Sequence, residues 1–94
     1  MSVRVTIETA SKAEAELIAQ RLPVRAQAQA WRGYGVIRVE ANGHQETEAL
    51  IDAVWQGFEE NKLRWTRVRY GDEERVFRAN GQNGHRPATG SPGP

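Results

Sequence analysis

The chain has 94 residues, a formal net charge of +1 and no cysteine. This length suits one domain with a small core, and the lack of thiols excludes disulfide staples, thiolate zinc sites and thiol catalysis. No apolar run approaches the ~18 residues of a membrane span, and Met1 leads into an alternating pattern without an apolar signal core, so a soluble, cytoplasmic protein is expected.

In the opening stretch, Val3, Val5 and Ile7 alternate with Arg4, Thr6 and Glu8. Period two predicts a half-buried strand. Next, "SKAEAELIAQRLP" carries Ser11 and Glu14 at capping-box spacing. Ala15, Ile18, Ala19 and Leu22 would line one helical face, with Leu17 at its margin, and Pro23 would end the helix. The alternation resumes from Val24 to Trp31 and again from Tyr34 to Ala41. With Arg32-Gly33 as a two-residue loop, the inward pairs are Ala30–Gly35, Ala28–Ile37, Ala26–Val39 and Val24–Ala41. The outward pairs are Trp31–Tyr34, Gln29–Val36, Gln27–Arg38 and Arg25–Glu40. A one-residue slip would mix the apolar and polar sets, so the pattern selects this register.

"HQETEALIDAVWQGFEENKL" reads as a second helix with Leu50, Ile51, Val54 and Phe58 facing inward and Trp55 one position off that stripe. Gly57 either weakens it by ~1 kcal/mol relative to Ala or allows a close approach to the sheet. "RWTRVRY" is the next strand, with Thr66, Val68 and Tyr70 in one phase and Trp65, Arg67 and Arg69 in the other. "GDE" turns the chain, and "ERVFRA" is an optional fifth edge strand whose register the pattern leaves open. From Asn80 onward the chain is almost entirely Gly, Pro, Asn and other polar types, which predicts a disordered tail over residues 80–94 after a single domain over 1–79.

The order β-α-β-β-α-β resembles the ferredoxin-like plait over about residues 2 to 70: an α+β fold with two helices on one face of a four-stranded antiparallel sheet. RNA-recognition motifs and ACT domains share this plait. "RGYG" sharpens the resemblance to the former. Arg32, Gly33, Tyr34 and Gly35 match the first four places of that family's third-strand octapeptide, and Ile37 matches its aliphatic place. Val36 and Val39 replace the two later aromatics, and "VRVTIE" lacks the companion ring of the first strand. The resemblance implies one stacking ring, at Tyr34, on a sheet face that binds single-stranded RNA.

Charge is segregated. The helical segments hold Glu14, Glu16, Glu46, Glu48, Asp52, Glu59 and Glu60 against Lys12, Arg21 and Lys62. The strands and hairpin hold Arg4, Arg25, Arg32, Arg38, Arg67 and Arg69 against Glu8 and Glu40. The open sheet face is therefore expected to be basic, and it also carries Trp31, Tyr34 and Trp65. Guanidinium groups interleaved with rings suit single-stranded RNA or DNA. A solvated face with ordinary cross-strand ion pairs is the plainer alternative.

A rival class is a self-associating regulatory or assembly module, pairing as a homodimer through the sheet face or the edge of the second strand, where "VRAQAQA" is poorly protected. A small-molecule effector site is the third. An enzyme is not expected. His44 opens a helix and His85 lies in the tail, without metal-ligand spacing. Ser2, Ser11 and Ser91 sit in no nucleophile elbow. Glu8 and Glu40, the one conceivable acid/base pair, lie among arginines. "GDEE", "ANGHQ" and "ANGQNG" make no phosphate loop, and no cofactor is expected.

Overall fold

The computed structural model describes residues 2–79. Seven elements follow in chain order: β1 (Ser2–Thr9), α1 (Lys12–Arg21), β2 (Ala28–Trp31), β3 (Tyr34–Asn42), α2 (Gly43–Glu60), β4 (Trp65–Tyr70) and β5 (Glu73–Arg78). The sheet has five strands in the order β2-β3-β1-β4-β5, with antiparallel neighbours throughout. The optional strand is thus a full member of the sheet. The expected tail lies outside the described residues.

β1 is the central strand because its alternation serves two ladders. It pairs with β3 from Ser2↔Asn42 to Thr9↔Gly35, and with β4 from Val5↔Tyr70 to Thr9↔Thr66. Val5, Ile7 and Thr9 are buried on the helical side with Ile37, Val39, Ala41, Val68 and Phe77. Leu50, Ile51, Val54 and Phe58 of α2 and Ala15 and Ile18 of α1 close this core.

The helix starts divide the capping box between them. Ser11 Oγ accepts from the Glu14 N–H at 3.3 Å, but the Glu14 carboxylate does not reach back; it pairs with Arg64 Nε at 2.8 Å. At α2 the acid performs the reverse half, as Glu46 Oε1 accepts from the Asn42 N–H at 2.6 Å. Each arrangement satisfies one otherwise orphaned N–H. Gly57 does permit a close approach, but to α1 rather than to the sheet: an added Cβ would lie 3.1 Å from Ile18 Cδ1 and 3.4 Å from Arg21 Cγ. Trp55 is half-buried rather than a free surface ring. It stacks on Phe58 with centroids 5.9 Å apart and tilts against Phe77 at 5.0 Å.

The hairpin has the register selected by the apolar pattern, from Ala28↔Ile37 to Trp31↔Tyr34. Arg32 (φ 52°) and Gly33 (φ 86°) form its tip. Positive φ at both positions is the signature of a type I′ turn, whose twist matches that of the flanking strands. The alternation from Val24 predicts a longer second strand than is found, because the ladder begins only at Ala28. Val24 and Ala26 still pack against the core, half-buried, without ladder pairing to β3. Their side chains follow the expected phase while the backbone after Pro23 has not yet joined the sheet.

Tyr70, at the far end of β4, is buried on the helical side, and its hydroxyl donates to Glu73 Oε1 at 3.3 Å. Burial pushes its phenol above the ordinary pKa, an effect that Arg75 partly offsets. Among the described residues no helix is long and apolar enough to cross a membrane.

Candidate functional site

The face away from the helices is built by the other phase of each strand. In register across the sheet, Gln29 of β2 lies beside Val36, then Glu8, Arg67 and Val76. One row nearer the hairpin tip are Trp31 and Tyr34 on one side and Trp65 and Arg78 on the other. β1 turns away into α1 at this end, so the rings of Tyr34 and Trp65 close the gap above it. Their centroids are 5.9 Å apart in an edge-to-face arrangement, worth about 0.5–1.5 kcal/mol beyond burial.

The rings border a concavity of about 380 Å³, lined also by Glu8, Val36, Arg67, Glu74, Val76 and Arg78. Val36, in the phase expected to face solvent, is only 3 % exposed. It forms part of the apolar floor. Trp31 and Tyr34 are 53 % and 47 % exposed, the large hydrophobic side chains most open to solvent among the described residues. Arg32 sits 5.0 Å over the Trp31 ring, a cation–π contact at an exposed site, worth ~0.5–1 kcal/mol.

Glu8 is the polar centre of the face. Its side chain is 15 % exposed. Oε1 accepts from Arg67 Nε at 2.8 Å, with Arg67 Nη2 in ion-pair contact at 2.7 Å, and Oε2 accepts from Arg69 Nη2 at 2.9 Å. One carboxylate therefore orders two guanidinium groups from β4. This amends the expected field of loose positive charge. In the outward phase Arg4, Arg38, Arg67, Arg69 and Arg78 stand against Glu8, Glu40 and Glu74, an excess of two positive charges. Arg67 and Arg69 nevertheless keep 41 % and 51 % of their side-chain surface exposed. Their charge remains accessible while their orientation is fixed.

Of the residues singled out from sequence, Trp31, Tyr34, Trp65 and Arg67 come together around the concavity, with Arg69 bound to its Glu8. Arg4 faces Glu40 across the ladder at the end of the sheet remote from the rings. Arg38 is exposed beside Thr6, and Arg32 occupies the hairpin tip. Arg25 is exposed but lies ahead of β2, not on a strand, because the ladder starts at Ala28. Sequence reasoning did not find Val36, Glu74, Val76 or Arg78 as lining residues. For the last three the missing signal was the register of β5. For Val36, phase placed it on the open face but gave no sign that it would be buried there.

The second glycine of "RGYG" has a steric origin. A Cβ on Gly35 would meet the Ser11 carbonyl oxygen, Thr9 Oγ1 and the Ala15 Cβ, the last at 2.6 Å. β3 thus crosses beneath the first turn of α1 with no space for a side chain.

Among the described residues no group of three or more His, Asp or Glu is placed to hold a metal ion. Comparisons with models of known protein families, with curated proteins and with solved structures find no match to this chain.

Proposed function

We propose that this chain is a small non-enzymatic binding module, a ferredoxin-like plait with an added edge strand, whose open face holds single-stranded RNA or DNA. The observation that carries this reading is the gathering of Trp31, Tyr34 and Trp65 around one concavity on a face with surplus arginine charge. Rings accept bases by stacking, at ~1–3 kcal/mol per base, and arginines accept the phosphates between them. Arg67 and Arg69, held by Glu8, present guanidinium groups at little further entropic cost. Arg38 and Arg4 extend the positive track along the sheet towards its other end.

A titration with a labelled single-stranded oligonucleotide tests the reading. Two or three neutralised phosphates predict that affinity falls roughly tenfold between 50 and 200 mM salt. Trp31→Ala with Tyr34→Ala should cost ~1 kcal/mol of binding or more. It removes no residue of the helical-side core, so the double variant should still fold. Absence of binding at low salt eliminates the nucleic-acid reading. If the double variant instead alters the oligomeric state while oligonucleotides have no effect, the exposed rings serve a protein interface, the self-association class.

A further inference from the structure

Glu8 offers more than an anchor for two arginines. Each of its carboxylate oxygens accepts one hydrogen bond, Oε1 from Arg67 and Oε2 from Arg69. A carboxylate oxygen can accept about two, so the carboxylate retains acceptor capacity. Glu8 also lines the concavity together with the three rings. A volume of about 380 Å³ is at the lower end of the ~300–1,000 Å³ range of small-ligand sites and suits one planar ring.

The surroundings narrow the chemistry. Three rings beside a carboxylate could suggest a cage for a cation. Here Arg67 and Arg78 line the same concavity and Arg69 is bound to its carboxylate, against Glu8 and Glu74. The local balance is positive and disfavours a cation. A neutral ring stacked between the aromatics meets no such penalty. Its edge towards Glu8 must donate, because a carbonyl facing a carboxylate oxygen is repelled. Carboxylates read nucleobases in this way, by accepting from an exocyclic amino group.

We infer that the concavity takes a single amino-bearing nucleobase, adenine, cytosine or guanine in preference to thymine or uracil, with the Glu8 carboxylate accepting from the amino group. This rests on the nucleic-acid reading above and adds a base preference to it.

The test uses the full chain at low salt with single-stranded DNA oligomers of equal length, followed by fluorescence anisotropy. Oligo(dA) and oligo(dC) should bind about tenfold more tightly than oligo(dT), the scale expected for one hydrogen bond to a charged group. An oligomer in which adenine is replaced by unsubstituted purine, with the same rings but no amino group, should bind like oligo(dT). In Glu8→Gln, whose amide can donate as well as accept, the dA-to-dT ratio should shrink to within about threefold. The purine comparison uses the unaltered protein, so it stands even if Glu8→Gln disturbs the arginines. Equal binding of all oligomers, or a preference for thymine, would overturn the base preference while leaving the module a nucleic-acid binder. Failure of every oligomer to bind would overturn both.

Discussion

Gly35→Ala should destabilise the protein by about 3 kcal/mol, enough to lower the melting temperature by roughly 15 °C. The reason is the absence of anything that can yield. The new methyl would strike the Ser11 carbonyl, which is backbone and already accepts from the Ala15 N–H at 3.1 Å and from Thr9 Oγ1 at 2.6 Å. Thr9 is itself fully buried. Relief requires the first turn of α1 to lift from β3 or β3 to bend away. Gly33 is the contrasting position, because nothing lies within 4 Å of a Cβ built there. Gly33→Ala should cost only ~1 kcal/mol, from the left-handed backbone alone. A thermal melt of both variants checks the pair. If Gly35→Ala melts within a few degrees of the parent, β3 and α1 are not packed as described.

Phe77→Ala should cost a similar amount, ~3–5 kcal/mol. Phe77 is 1 % exposed and meets Trp55 at 5.0 Å and Phe58 at 5.8 Å. The residues that share its side of β5 are Glu73 and Arg75, so Phe77 is the apolar anchor that holds this edge strand beneath α2. Its removal leaves a cavity against two rings and a strand held mainly by its ladder to β4. Denaturant unfolding should show the loss. Hydrogen exchange should show the amides of β5 opening below the global unfolding energy. A loss under 1 kcal/mol with β5 still protected would mean that the ladder alone holds the edge. The consequence reaches the site, because Glu74, Val76 and Arg78 of β5 form one wall of the concavity.

Much of this fold is legible in local pattern. The hairpin register follows from two runs whose inward members are all apolar, and the α2 stripe Leu50–Ile51–Val54–Phe58 falls on the buried side as its spacing requires. The register of β5 was not legible, because Val76 and Phe77 are adjacent and alternation cannot choose between them. The turn chooses. Gly71-Asp72 is a two-residue connection that sets Tyr70 opposite Glu73 and so directs Phe77 inward. The length of β2 was not legible either, since alternation reports side-chain phase and not where an edge ladder begins.

The rings and most of the arginines of the candidate site could be assigned to the open face by phase. What they do there could not. Glu8 lies 59 residues from Arg67 and 61 from Arg69, and the contact arises only when β1 and β4 pair with Glu8 opposite Arg67. The sequence pattern thus marked Glu8 as a charge opposing the basic face, whereas folding makes it the group that organises that face. Gly35 carries the related lesson for "RGYG". Its identity is fixed by the first turn of α1, so one of the four residues of this stretch is required by packing alone, and the case for a function rests on the three rings.

The protein contains three tryptophans. Trp31 and Trp65 border the concavity, and Trp55 lies against Phe58 and Phe77 on the helical side of the sheet. The indole N–H resonances of a ¹⁵N-labelled sample, followed during addition of a single-stranded oligonucleotide at low salt, therefore report on both faces at once. Binding across the open face predicts that the Trp31 and Trp65 resonances shift together and saturate while Trp55 stays in place. Movement of Trp55 alone, or no movement of any of the three at saturating oligonucleotide, would contradict the assignment of the open sheet face as the binding surface.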